Sequence, residues 1–252
     1  MQTILRNLIL TALFSMACVF AQIQVIPQIA DGGGWSSVLV LTNTTAIAQG
    51  VSLQFFLDTT NGNTETWIPF FLEGLPTSIN AASSVFLHTP GTRAVTSQGW
   101  AQLIASPGVV AYVIYTYSTN GRDQDATAPA VSSASRILVP FDNTVPADNT
   151  KPLVTALAVV NPNAEPLTIA ANFKLSGTGT VVQGTPLVLP ANGQVAILLP
   201  AQFPGTAGKS GLAEFYSMTP SGATLSIIAL RANPTGGFTS LETYNESGLP
   251  II

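Results

Sequence analysis

Two stretches of the chain decide the fold, because the second repeats the pattern of the first. Residues 36–57 read SSVLVLTNTTAIAQGVSLQFFL, and residues 154–175 read VTALAVVNPNAEPLTIAANFKL. The pairs that align are Leu39 with Leu157, Leu41 with Val159, Asn43 with Asn161, Val51 with Ile169 and Phe55 with Phe173. The apolar pairs recur at alternating positions, which is the period of a strand with one buried face. The sequence therefore predicts one β unit that occurs twice.

The repeat extends outward from these two stretches in the same order along both halves of the chain. Residues 83–87 match 193–197, and Gly99-Trp100-Ala101-Gln102 matches Gly211-Leu212-Ala213-Glu214. Residues 108–117 match 222–231, an alignment that pairs Val113 with Ile227, Tyr115 with Ala229 and Tyr117 with Arg231. Each match is short, and it is their shared order that indicates duplication.

Each unit reads as about seven short strands separated by turns, which is the signature of a sandwich. In the first unit the strands are predicted near residues 23–30, 36–43, 50–58, 64–71, 83–88, 99–105 and 109–117. The predicted fold class is all-β, with two tandem immunoglobulin-like antiparallel β-sandwiches after a signal peptide. The predicted boundaries are 1–21 for the signal peptide, 22–131 for the first unit and 132–252 for the second.

The N-terminus has the three parts of an export signal. Arg6 precedes the apolar run of residues 8–14, and Val19-Phe20-Ala21 forms a small-x-small cleavage site. We therefore expect an exported protein, extracellular, at the cell surface or periplasmic, with no transmembrane span in the mature chain. The single cysteine, Cys18, lies inside the signal, and lipidation at that residue is an open alternative.

The composition excludes several function classes. Only 8% of the residues are charged and the net charge is −4. The chain has no basic patch or stripe, so no nucleic acid is expected as a partner. It contains one histidine, His88, and no nucleophile elbow, phosphate-binding loop or zinc spacing. The prediction is therefore no enzyme, no metal and no cofactor, with His88 at a strand edge.

Several motifs are familiar as a set: Ile29-Ala30-Asp31-Gly32-Gly33-Gly34-Trp35, Gly99-Trp100-Ala101-Gln102, Pro140-Phe141-Asp142-Asn143, Phe203-Pro204-Gly205-Thr206-Ala207-Gly208 and Asn233-Pro234-Thr235-Gly236. Together they resemble a group of secreted bacterial proteins, common in acidobacteria-like organisms, that are built from paired immunoglobulin-like modules. The resemblance covers the whole mature chain. It implies a fold and export but no activity.

Aromatic and acidic side chains of the first unit are the candidate ligand contacts: Trp35, Trp67, Tyr115, Tyr117, Asp123 and Asp125. A flat aromatic face can stack against a sugar ring, but Tyr115 and Tyr117 can equally form a cross-strand ladder. Asp123 and Asp125 offer oxygen ligands for calcium in a loop, or form a solvated hairpin tip. Trp100, whose counterpart is Leu212, is expected in the core.

Three functions therefore remain open. The leading one is a structural or interaction protein that binds an unknown protein or polysaccharide at the cell surface. The alternatives are a carbohydrate-binding module that uses the aromatic residues of the first unit, and a periplasmic two-domain chaperone. An enzyme would need two acids converging within about 5–10 Å in a cleft.

Overall fold

A computed structural model describes residues 21–58, 69, 71–119, 121–220, 222–246 and 252 of the chain. The signal peptide, the predicted strand at 64–71 apart from residues 69 and 71, and Trp67 lie outside the described residues. The first half contains the strands β1 (Gln22–Asp31), β2 (Trp35–Asn43), β3 (Gln49–Leu57), β4 (Ser78–Ile79), β5 (Ser83–His88), β6 (Ser97–Ala105), β7 (Val109–Thr119) and β8 (Arg122–Pro129).

The second half is also built of strands, with one short helix. Its strands are β9 (Arg136–Asp142), β10 (Val154–Val160), β11 (Leu167–Leu175), β12 (Val181–Gln183), β13 (Leu187–Leu189), β14 (Gln194–Leu198), β15 (Ser210–Thr219), β16 (Ser226–Ala232), β17 (Phe238–Leu241) and β18 (Tyr244–Glu246). Helix α1 (Leu199–Gln202) and a 3-10 turn (Pro204–Thr206) follow β14. The prediction of an all-β fold is confirmed. No helix in the described part of the chain is long and apolar enough to cross a membrane.

The strands form antiparallel sheets, two in each half. Sheet I has the order β1-β6-β3-β4, and sheet II has the order β5-β2-β7-β8. Sheet III has the order β14-β10-β16-β17, and sheet IV has the order β12-β11-β15-β9-β18 with β13 also paired to β11. In each half one apolar core lies between the two sheets, centred on residues such as Leu39, Phe55 and Leu103 in the first half and Val159, Phe173 and Phe215 in the second.

The two halves share one order of strand pairing. β2 pairs with β5 and β7 in sheet II, as β10 pairs with β14 and β16 in sheet III. β6 pairs with β1 and β3 in sheet I, as β15 pairs with β9 and β11 in sheet IV. In an immunoglobulin constant domain the first strand lies in the sheet of the second and fifth strands, and the seventh lies in the sheet of the third and sixth. Here the first and seventh strands have the opposite places, so the order differs from that domain.

A buried asparagine holds the same place in each half. The Asn43 side-chain amide donates to the carbonyls of Ile47 at 2.7 Å and Asn80 at 3.0 Å. The Asn161 amide likewise donates to the carbonyls of Glu165 at 2.8 Å and Pro190 at 2.7 Å. Buried polar groups are normally hydrogen-bonded, and here one side chain ties a β-turn to a neighbouring loop. This role explains why the asparagine appears in both aligned stretches.

The strand registers correct one part of the sequence alignment. Leu39 lies opposite Val113, and its counterpart Leu157 lies opposite Ala229. Val113 therefore corresponds to Ala229, and Tyr115 to Arg231, two residues away from the alignment made on the sequence. A shift of two residues keeps every side chain on the same face of a strand, so the alternating pattern cannot detect it.

The two halves pack against each other along a seam, which is formed by the β1 edge of the first half and the outer surface of sheet III. Trp100 Nε1 donates to the carbonyl of Asn192 at 3.0 Å, and Gln194 Nε2 donates to the carbonyl of Pro27 at 3.1 Å. Trp100 and Val160 share a small buried cluster that crosses this seam. Trp100 is 0% exposed and therefore buried as expected, but it lies in this seam cluster and not in the core between the two sheets of the first half.

Candidate interaction surface

Three of the four predicted aromatic contacts, Trp35, Tyr115 and Tyr117, lie on the inner side of sheet II. Tyr115 is 1% exposed, its hydroxyl donates to the carbonyl of Gln28 at 2.8 Å, and its burial raises the pKa of the phenol. Tyr115 is therefore not part of an aromatic face that is exposed to solvent. Trp35 and Tyr117 are half-buried with ring centroids 4.7 Å apart, and the Trp35 ring lies 5.3 Å from that of Phe238 in the second half. These rings pack the end of the first core against the second half.

The two predicted acidic contacts lie on strand β8, not in a loop. Ser118 Oγ donates to Asp123 Oδ1 and Thr116 Oγ1 donates to Asp125 Oδ1, both at 2.6 Å across the β7–β8 pair. Both residues are exposed and follow the turn of the β7–β8 hairpin, which agrees with the predicted hairpin, whereas the predicted calcium loop is wrong because residues 122–129 form a strand. Both aspartates point outward, away from the side of Tyr115 and Tyr117. The sequence-predicted contacts therefore do not converge on one site.

The outer side of sheet II carries an apolar surface that the sequence prediction missed. Since Leu39, Leu87 and Val113 point into the core, the alternate residues of the same strands point outward. We define the aromatic face as the outward residues Val38, Val40, Phe86, Val110, Tyr112 and Ile114. Phe86 is 47% exposed and Val110 is 49% exposed, so the face is open to solvent.

Val40 lies at the centre of the aromatic face. It lies directly opposite Phe86 on one neighbouring strand and Tyr112 on the other. Although Val40 points outward, it is only 1% exposed, whereas Phe86 is 47% exposed. The two aromatic residues are therefore the cross-strand neighbours of a covered valine on this face.

Polar and charged groups lie around the aromatic face. Thr42 Oγ1 and Ser84 Oγ share a hydrogen bond of 2.8 Å at one end. At the β5 edge, Glu73 accepts from the backbone N–H of His88 at 2.7 Å and lies 2.6 Å from His88 Nδ1. The backbone hydrogen bond from His88, followed by the contact with its ring, lowers the pKa of Glu73. An apolar centre with a polar rim is the usual composition of a protein contact surface.

The equivalent surface in the second half is covered. Val40 corresponds to Ala158, which lies opposite Ala196 and Ile228 on the outer side of sheet III. Ala158 is 5% exposed and Ile228 is 4% exposed, and both belong to the apolar cluster of the first half. The same face of the same sheet therefore binds the other half of the molecule in one case and meets solvent in the other.

A cavity lies at the seam between the halves. Its volume is about 170 Å³, and its walls include Trp35 and Tyr115 of the first half and Ala158 and Ala196 of the second. Two other depressions lie nearby, one containing Asp58 and Arg93 and one containing Asp125 and Arg231.

Within the described residues, no group of three or more histidine, cysteine or acidic side chains is placed to hold a metal ion. No family model matches the chain, and neither a curated protein nor a solved structure matches it.

Proposed function

We propose that this chain is an exported, non-catalytic interaction protein in which two related immunoglobulin-like sandwiches present the aromatic face to a partner at the cell surface. The contrast between the two equivalent faces carries this proposal. In sheet III the face is buried by the first half, whereas in sheet II it has larger apolar side chains and is open to solvent.

The chemistry of the aromatic face supports a binding role over simple exposure. Outward positions of a solvated antiparallel sheet are normally polar, so a row of valine, phenylalanine and tyrosine is unfavourable unless something covers it. Charged side chains are confined to the rim, where they disfavour unspecific association. The packed seam fixes the two halves relative to each other, so the face is presented on a rigid support.

A carbohydrate partner is the second candidate, and the spacing of the two rings favours it. Phe86 and Tyr112 lie on strands separated by one strand, so their backbones are about 10 Å apart. Aromatic faces stack on the C–H faces of sugar rings, and the hydroxyls of Thr42 and Ser84 lie at the rim. An extended polysaccharide could contact both rings with alternate sugar units.

Binding measurements on the mature chain test both candidates. The protein is mixed with insoluble cellulose, chitin and peptidoglycan, and the unbound fraction is measured after centrifugation; sedimentation velocity reports self-association in parallel. The variants are Phe86→Ser and Tyr112→Ser, with Val188→Ser as the matched control, because Val188 is a 68% exposed valine on sheet IV.

We expect at least one association that both face variants lose and the control keeps. A mature protein that stays monomeric and binds none of the three polysaccharides contradicts the carbohydrate candidate and excludes a second copy of the chain as the partner. Binding that is equal in all variants contradicts the proposed role of the aromatic face. Depletion by a polysaccharide supports the carbohydrate candidate, whereas self-association alone supports a protein partner.

A further inference from the structure

The seam cavity exists because one of its walls is made of small residues. Ala156, Ala158 and Ala196 line it from sheet III, and their counterparts by strand register on sheet II are Val38, Val40 and Phe86. The cavity has a volume of about 170 Å³ and is partly open to solvent, since several of its lining residues are only half-buried. It lies between the outer side of sheet III and the end of the first sandwich.

The polar groups in the cavity wall already have protein partners. The Tyr115 hydroxyl donates to the carbonyl of Gln28, and Gln28 Nε2 donates to Gln98 Oε1 at 3.0 Å. Gln28 Oε1 accepts from Gln194, and Gln98 Nε2 donates to Asp58. The other lining residues are aromatic or aliphatic, among them Trp35, Leu157 and Ile228. The wall is therefore suited to an apolar occupant.

The size of the cavity limits the occupant to a single ring. A dry cavity of about 150 Å³ lined by apolar side chains is enough to bind benzene. The seam cavity is slightly larger, and the Trp35 and Tyr115 rings form one wall. Half-buried residues at its margin, among them Trp35, Ala156 and Ala196, give a route from solvent.

We propose that the seam cavity is a binding site for a small apolar ring compound, of the size of toluene. Such a ligand contacts the outer side of sheet III and the inner end of sheet II at once. Its binding therefore stabilises the packing of the two halves, since a ligand that binds only the folded state shifts the unfolding equilibrium. The site is separate from the aromatic face, so the two proposals fail independently.

The test is a titration of the mature chain with toluene, and with pyrimidine as a polar ring of similar size. Amide chemical shifts and the thermal midpoint are followed. Ala196→Leu fills the cavity, and Val188→Leu adds a similar side chain far from it. If Ala196→Leu does not fold, judged by circular dichroism, Ala156→Val replaces it as the smaller change.

We expect toluene to raise the thermal midpoint and to shift the amide signals of residues at the seam, with pyrimidine giving a smaller effect. The filled variant is expected to bind toluene about tenfold more weakly or worse, because its side chain occupies the space that the ligand needs. Val188→Leu should bind like the wild type. Absence of saturable toluene shifts in the wild type, or equal binding by the filled variant, overturns the proposal.

Discussion

Replacing Trp100 by leucine tests whether the seam is a structural interface that contributes to folding. Leucine occupies the corresponding place in the second half, at Leu212, so the strand itself accepts this side chain. In the first half, however, Trp100 is fully buried, stacks on Phe56 with ring centroids 4.3 Å apart, and donates to the carbonyl of Asn192. Trp100→Leu loses the aromatic stack and the hydrogen bond, and it leaves part of the buried volume empty.

The expected cost follows from these contacts. An aromatic pair contributes about 0.5–1.5 kcal/mol beyond its burial. A buried carbonyl left without its donor costs about 1–3 kcal/mol. Together with the cavity left by a smaller side chain, the loss in unfolding free energy for Trp100→Leu should be about 3–5 kcal/mol. Trp100→Phe keeps an aromatic ring beside Phe56 but removes the hydrogen bond and part of the buried volume, so its loss should be smaller than that of Trp100→Leu but not below about 1 kcal/mol.

The assay is urea denaturation of the mature chain, followed by far-ultraviolet circular dichroism, with hydrogen exchange at residues 192–194 as a local readout. Trp100→Leu should unfold at lower urea and exchange faster at these residues, because the indole that covers Asn192 is absent. A loss below about 1 kcal/mol, within the range of ordinary surface substitutions, would refute the reasoning. So would unchanged exchange at the seam in a destabilised variant.

Three further outcomes follow from local geometry. Asn43→Ala should cost about 1–3 kcal/mol in urea unfolding, since it removes the donor from the buried carbonyl of Ile79 and from the partly buried carbonyls of Ile47 and Asn80. Gly32→Ala should lower the thermal midpoint more than Gly74→Ala does. Both glycines have positive φ, but a Cβ at Gly32 would meet backbone and side-chain atoms, whereas a Cβ at Gly74 would meet open space. The pKa of Glu73 is lowered in the folded state, so its ionised carboxylate contributes stability that is complete above about pH 4–5 and is lost as pH falls through the lowered pKa. The difference in unfolding free energy between wild type and Glu73→Gln should therefore vanish in strong acid. A difference that persists at pH 2 contradicts the contact with His88.

The aligned stretches predicted much of the fold because the duplicated core positions alternate. They located β2, β3, β5 and β6 to within a few residues. Strand β8 escaped prediction because its outward positions are aspartates and its inward ones, Ala126 and Ala128, are small. Aspartate disfavours strands in general, but charged residues are common on edge strands, which is where β8 lies.

The side on which each aromatic residue lies was the main error at the candidate site. Strand β7 reads VVAYVIYTYST, in which both faces are apolar, so its pattern alone cannot say which face is inside. The second half does not resolve this, because strand β16 reads SIIALRA and is also apolar at both parities. Its Ile228 and Leu230 correspond to Tyr112 and Ile114, and its Ala229 corresponds to Val113. The seam cavity, in contrast, depends on how the halves pack, and the sequence carries no local signal for it.

The stability of Phe86→Ala decides whether the aromatic face belongs to the fold or to binding. If Phe86 served the core, its truncation would cost about 3–5 kcal/mol, as for buried aromatic residues. Its side chain instead lies on the outer face of an edge strand and is 47% exposed, so we expect a loss near or below 1 kcal/mol in urea unfolding. A large loss in Phe86→Ala would mean that the ring is retained for packing. A small loss of unfolding free energy would mean that Phe86 does not stabilise the fold. Contact with a partner would then account for the exposed phenylalanine beside Val40 and Tyr112.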